Sequence, residues 1–372
     1  MPLRWRDAMD RALYGPDGFF VGGAGPAGHF RTSAHASPAF AAAVFRLVSR
    51  LDAALGFPAP FDLVDVGAGR GELLVALATL ADEAAAPDAT QNTAAPDTAA
   101  PSGAAPSGAA AAGTAPVPLA HRLRLTAVEL APRPTDLPPA IDWTTEAPTG
   151  ITGLLTATEW LDNVPLDVAV PTENGWRYQL VDPHTGEETS GPPLTREDLT
   201  WLTHWHPTTA PAPTISGLGE RVEVGRGRDL AWSGVVARVS RGVALGVDYG
   251  HLRGARPAGG TLTGYRGGRQ VPPVPDGSCD VTAHVAMDSV AAAGERVAGC
   301  AYTLMSQREA LRALGADGGR PPLSLAGTDP AGYLRALAAA SAVAELTDPA
   351  GLGGHWWLLQ PVGVAVDALM AR

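Results

Sequence analysis

The sequence predicts an α/β fold, a mostly parallel sheet with helices on both faces, and three observations carry that prediction. Short apolar, β-branched runs recur along the chain: FDLVDVG at 61–67, LRLTAVEL at 123–130, ITGLLTATEWLDNVP at 151–165 and GVALGVDYG at 242–250. Each ends in a turn or an acidic residue, as buried parallel strands do. Between them ELLVALATLADEAA and DLAWSGVVARVSRG carry apolar residues at helical spacing and read as crossover helices. Alternation of this kind places ligands at the carboxyl ends of the strands.

Taken in order, the chain opens on MPLRWRDAMDRALYG, whose basic residues are followed by no apolar stretch and are joined by Asp7 and Asp10, unlike a targeting segment. A helix around Pro38 to Leu55 precedes the first core strand and is expected to pack beside the site. Residues 82–118 hold almost no large side chains and repeat a loose AAPSG theme, so a disordered insertion is expected there. From 171 to 220 the alternation breaks into GWRYQLVD, an exposed strand, and the Trp- and Pro-rich WLTHWHPTTAPAPT, which together suggest a cap or substrate-side insertion. Near the end, AGYLRALAAASAVAEL reads as a strongly amphipathic helix and GGHWWLLQPVGVAV as a final strand. The expected organisation is an N-terminal helical segment at 1–60, core at 61–170 interrupted by the insertion, a cap at 171–220 and the remaining core at 221–372.

With 372 residues a sizeable core is possible, and 38 acidic against 27 basic residues give a net charge of -11. Such a balance repels phosphate backbones, so no nucleic-acid partner is expected. Two cysteines, Cys279 and Cys300, form neither a metal motif nor a disulfide framework. No run approaches the length of a membrane span. A cytoplasmic protein is expected, and the abundance of Ala, Gly, Pro and Arg with little Lys suggests a GC-rich bacterial genome.

The turn LVDVGAGRGELL places Gly67, Gly69 and Gly71 between a strand and a helix, where absent Cβ atoms let backbone approach a ligand. A dinucleotide fingerprint would want a small residue at Glu72, and no Gly-Lys-Ser/Thr follows for a phosphate loop. The pattern is instead Asp-x-Gly-x-Gly-x-Gly from Asp65, with acids suited to an ammonium and a sulfonium. Glu129 ends the second strand, and excising the insertion brings it close to the roughly 20-residue spacing of a ribose-binding acid. Glu159 and Asp162, in TEWLDNVP at the end of the third strand, could clamp a cationic guanidinium and accept its charge. The lesser alternative for Asp162 is that it only caps a following helix. Tyr249 could be core, and His284 a hydrogen-bonded partner rather than a base. Trp201 and Trp205 beside His204 and His206 could edge a substrate groove; the His-x-His pair lacks a third metal ligand, so no metal is expected.

In order, ALYGPDGFF, HFRTSAHASPAF, LVDVGAGRGELL, TAVEL, TEWLDNVPLD, GVDYGH, GTLTGY and DVTAHV resemble the motifs of the MidA-like family of class I S-adenosylmethionine-dependent methyltransferases. The resemblance covers most of the chain outside 82–118 and parts of 171–220. It implies a Rossmann-like fold, S-adenosyl-L-methionine as cofactor, and a protein arginine as acceptor, since the family's mitochondrial member dimethylates an arginine of respiratory complex I. It further implies that Thr32, Ser33, Asp65, Gly67, Gly69, Gly71, Glu129 and Glu159 hold the cofactor. Glu159, Asp162, Asp248, Tyr249 and His284 would face the acceptor, with Asp280 and Thr282 near the substrate groove. Departures occur at Thr158, where the family commonly has Asn, around His35, and in the RGGRQ that follows Tyr265. They leave two other classes open: a non-catalytic assembly module that keeps the fold, and a small-molecule methyltransferase.

Overall fold

Successive side chains on a strand point to opposite faces, so a strand covered on both sides must be apolar or internally paired at every position. Phe61–Val66 meets that condition, being buried at all six positions. The computed structural model describes residues 1–22, 38–86, 116–206, 221–257, 259–316 and 318–370. Its largest sheet contains, in chain order, β1 (Phe61–Val66), β2 (Leu123–Val128), β3 (Ile141–Thr144), β4 (Ile151–Thr158), β5 (Val239–Asp248), β6 (Thr303–Ser306) and β7 (Trp356–Val362). The spatial order is β6-β7-β5-β4-β1-β2-β3. From β5 to β3 all neighbours are parallel, and β7 runs antiparallel to both β5 and β6. The chain moves outward from β1 to β3 and then returns to place β4 on the other side of β1. That reversal leaves a crevice at the carboxyl ends of β1 and β4, where open α/β sheets bind ligands.

The helices include α1 (Trp5–Tyr14), α2 (Pro38–Leu55), α3 (Glu72–Ala85), α4 (Arg226–Val236), α5 (Met287–Ala298) and α6 (Pro330–Leu346). Leu63, Leu154 and Val243 pack with Leu47 of α2 and Leu77 of α3 on one face. Their neighbours Val64, Leu155 and Ala244 pack with Trp232 of α4 and Val290 of α5 on the other. The four expected core strands and both crossover helices are therefore present, though the second helix ends at Val236 and the VSRG expected within it opens β5. Helix α3 continues to Ala85, past the expected start of the insertion at 82; residues 87–115 of that insertion lie outside the described residues.

Two expectations are corrected. Helix α2 is built into the core under the sheet and does not line the crevice. Helix α6 exists but is not strongly amphipathic: only Leu346 is buried and Leu334 is 64% exposed. The reason is its alanine content, which spreads small apolar groups around the whole helix instead of along one stripe.

A second, antiparallel sheet joins Leu3–Arg4, Gly175–Val181, Asp167–Thr172 and Val222–Val224, with Glu188–Pro193 paired to Gly175–Val181. GWRYQLVD, expected as an exposed strand, is one of these but is partly covered, with Tyr178 and Val181 buried. Helix α1 covers the sheet through Trp5, Met9 and Leu13, packed with Val168, Val181 and Val281. Arg4 donates to Asp167 and lies 3.7 Å over the Tyr178 ring. These contacts fix the end of α1, and so Tyr14, beside the crevice. Trp201 is buried, its indole N–H donating to Asp229 and Ser289 at 2.8 and 2.9 Å, and so edges no groove. Among the described residues no helix is long and apolar enough to cross a membrane.

The chain re-enters the core beyond the insertion through a buried ion pair. Arg122 donates to both carboxylate oxygens of Asp52 at 2.8 and 2.6 Å, and to the carbonyls of Pro58 and Val117. This anchors the start of β2, whose far end presents Glu129. Asp52→Ala leaves that guanidinium buried without its counter-charge, so urea denaturation should show a loss of about 3 kcal/mol. Adding Arg122→Met should recover part of the loss.

Candidate active site

The turn after β1 bends because three glycines adopt left-handed conformations, with φ of 70° at Gly67, 59° at Gly69 and 85° at Gly71. A Cβ on Gly67 would lie 2.8 Å from the Trp160 ring, and one on Gly71 2.7 Å from Leu137. At Gly69 the nearest atom would be Glu72 Oε2 at 3.7 Å, so the backbone there is open. Gly67 and Gly69 line a cavity of about 530 Å³ in the crevice. Gly71 is outside its lining and serves the turn and the packing of Leu137.

Glu129 joins the turn directly. Its Oε2 accepts from the Gly69 amide at 3.0 Å, and its Oε1 from the amides of Leu130 and Ala131 at 2.7 and 3.1 Å. Asp65 is buried beneath, accepting from the Thr156 hydroxyl at 2.7 Å. Burial, reinforced by the charges of Glu129 and Glu72, pushes its carboxyl up to about 7. Tyr14 and Phe20 form another wall, their rings stacked 5.6 Å apart, with the Tyr14 hydroxyl donating to the Asn163 carbonyl at 3.3 Å. Thr32 and Ser33 lie outside the described residues.

Glu159 and Asp162 line the same cavity. Glu159 has a left-handed φ of 49°, a conformation that costs a side-chain-bearing residue free energy and is held only by its surroundings. Its amide donates to the Val247 carbonyl at 2.7 Å, and its carboxylate lies 3.8 Å from His355. Burial lowers the His355 imidazole to about 4, so it does not neutralise Glu159 at ordinary pH.

Asp162 sits in a short helical turn, Leu161–Asn163. Its Oδ2 accepts from the Tyr249 hydroxyl and, at 2.7 Å, from Thr282. Among the described residues nothing donates to its buried Oδ1. Asp248 lies outside the cavity lining: its carboxylate accepts the amides of Leu161, Asp162 and Tyr249 and so shapes the turn. Asp280 is likewise occupied, accepting from Asn163 Nδ2 at 2.7 Å; burial and the charge of Asp162 push it up to about 8. Among the described residues the His284 ring takes no part in these hydrogen bonds, standing edge-on to Tyr249 with ring centres 5.2 Å apart.

Four contributors were not singled out from sequence: Tyr14, Phe20, Trp160 and Arg228. Arg228 is 1% exposed and donates to the carbonyls of Asp162, Val164, Ala283 and His284. A signal existed for it, because Arg228, Trp232 and Val236 recur every four residues on the buried stripe of α4.

The cavity is suited to S-adenosyl-L-methionine. Its volume is within the range of small-molecule sites, about 300–1,000 Å³. The backbone at Gly69 stands open to the cavity, Glu129 can accept ribose hydroxyls, and the other lining carboxyls suit a cation. Among the described residues no cluster of His, Cys, Asp and Glu could hold a metal.

No curated protein matches the chain. A structure of a COG1565 superfamily member from Burkholderia thailandensis, bound to S-adenosyl-homocysteine, superposes with a TM-score of 0.74 and 22% identity. The match covers 100% of this chain and 91% of that one. A second structure, described as an "uncharacterized ACR, COG1565 superfamily protein" from the same organism, gives 0.71 and 21% over 100% and 90% of the two chains. At that identity the likeness establishes the fold. The family described as "Putative S-adenosyl-L-methionine-dependent methyltransferase" matches residues 117–305. With just over half of its length inside that match, the chain belongs to this methyltransferase family.

Proposed function

We propose that the chain is a class I, MidA-like methyltransferase that transfers a methyl group from S-adenosyl-L-methionine to an arginine of a protein substrate. The observation that carries this reading is that Gly67, Gly69 and Glu129 line the same cavity as Glu159 and Asp162. Gly67 and Gly69 receive the methionine portion and Glu129 the ribose. Asp65 and Glu159 complement the positive charge. The bound cofactor supplies an electrophilic methyl on sulfur. Glu159 and Asp162 orient the acceptor, while Trp160, Tyr14 and Phe20 keep water from the reacting atoms. On the outer side His284 is exposed against Tyr249, leaving a solvent-facing approach for a peptide. As in the mitochondrial relative, a respiratory complex subunit is the kind of substrate this reading favours.

Asp65 makes cofactor binding pH-dependent. Its folded value, about 7, exceeds the ordinary carboxylate value of 3.8. Between those values the folded protein therefore keeps a proton that the unfolded chain has released, so this group's contribution to stability falls as pH rises through the window. A cation beside Asp65 favours its ionised form and expels the proton. Calorimetry from pH 5.5 to 7.5 should show affinity for S-adenosyl-L-methionine rising about tenfold, with net proton release. Asp65→Asn should flatten that rise.

Transfer itself is read by incubating the protein with methyl-labelled cofactor and a bacterial lysate. Label is expected in a protein band as methylarginine and should fall at least about a hundredfold in Glu159→Gln while cofactor affinity changes less. Label confined to small molecules would favour a small-molecule acceptor. Binding without any transfer would favour an assembly module.

A further inference from the structure

The acidic cluster behind the cavity is organised around one oxygen. Of the two oxygens of Asp162, Oδ2 receives the Tyr249 and Thr282 hydroxyls, which also touch each other at 2.5 Å. Oδ1 is buried and, among the described residues, has no donor. A buried carboxylate oxygen without a donor is costly, and its retention on a cavity wall calls for a ligand that brings one.

We propose that Asp162 Oδ1 is the proton acceptor of the transfer, and that Tyr249 and Thr282 are positioning residues that hold Asp162 with this oxygen reserved for an N–H of a guanidinium acceptor. The inference rests on the methyltransferase reading above. The acceptor nitrogen forms the new N–C bond with its electron pair, and the C–S bond breaks with its pair passing to sulfur, leaving a neutral thioether. One N–H proton passes to Asp162 Oδ1. A guanidinium, a sulfonium and a carboxylate become a methylguanidinium, a thioether and a carboxylic acid, and charge balances at one positive.

The surroundings favour such an acceptor. Asp248 and Asp280 both face the negative charges of Asp162 and Glu159, Arg228 is the nearby positive charge, and Tyr14 and Tyr249 add phenols whose ionisation burial opposes. The Arg228 guanidinium is spent on four carbonyls, including that of Asp162 itself, and none of these bonds goes to the carboxylate. A cationic acceptor relieves this imbalance, which a neutral hydroxyl cannot do. Burial raises the Asp162 carboxyl, and the Tyr249 and Thr282 hydroxyls draw it back toward ionisation.

The test uses ethylguanidinium, titrated into the full-length protein saturated with S-adenosyl-homocysteine, from pH 5 to 9. Binding should weaken as pH falls through the titration of Asp162. Thr282→Val and Tyr249→Phe, each deleting one donor to the ionised form, should move that midpoint up by about one pH unit. Thr282→Ser should keep it in place, and Asp162→Asn should bind at least about tenfold more weakly with no midpoint. Thr282→Val leaves the amides on Asp248 and the Asn163 bond to Asp280 in place, so the shift reports Asp162. The proposal is overturned if Asp162→Asn binds like wild type, if Thr282→Val and Thr282→Ser share the wild-type midpoint, or if the saturated wild type takes up no ethylguanidinium. Failure of S-adenosyl-homocysteine itself to bind would overturn the underlying reading instead, and the two failures are read separately.

Discussion

The site depends on one buried guanidinium. Arg228, on the inner stripe of α4, donates to carbonyls from two segments, Asp162 and Val164 on one and Ala283 and His284 on the other. Charged donors make stronger hydrogen bonds than neutral ones, and here they tie together parts of the chain about 120 residues apart. The tie brings Thr282 against Asp162 and leaves the Ala283 amide 3.3 Å from the Asp162 carbonyl. Without it, four carbonyls would lose a charged donor, and the turn carrying Asp162 would be held to the Asp280–Thr282 strand only by the bonds of Asn163, Thr282 and the Ala283 amide.

The acidic character of the crevice follows from the same economy of partners. Asp248 is satisfied by backbone amides, Asp280 by Asn163, and Asp162 by two hydroxyls on only one of its oxygens. Burial raises all three carboxyls. Neutral, half-buried His355 and His251, both lowered to about 4, add no compensating charge. The electrostatic demand for a cation is thus built from groups whose hydrogen bonds fix their geometry, and the strained backbone at Glu159 is held within that frame.

Much of this was legible in the sequence because it is local. The core strands appear as β-branched runs, the glycine turn as a spacing, and Glu129 as an acid at a strand end once the insertion is set aside. Gly67, Gly69 and Glu129 line one cavity, whereas Gly71 makes room for Leu137. The long-range contacts were not legible. Tyr14 reaches Asn163 from 149 residues away, and no local pattern encodes that approach. Asp248 and Tyr249 stand at the expected strand end, but only the fold shows that one clamps amides and the other holds Asp162. The amphipathic reading of α6 failed because alanine satisfies a helical period without specifying a face.

The central claim is that the crevice between β1 and β4 holds S-adenosyl-L-methionine, and a crystal structure of the protein soaked with S-adenosyl-homocysteine tests it most directly. The account predicts ligand density in the crevice, its ribose hydroxyls within hydrogen-bond distance of Glu129 and its amino acid end against Gly67 and Gly69. An empty crevice at millimolar ligand, or the ligand bound elsewhere with Glu129 still held only by the amides of Gly69, Leu130 and Ala131, would contradict it.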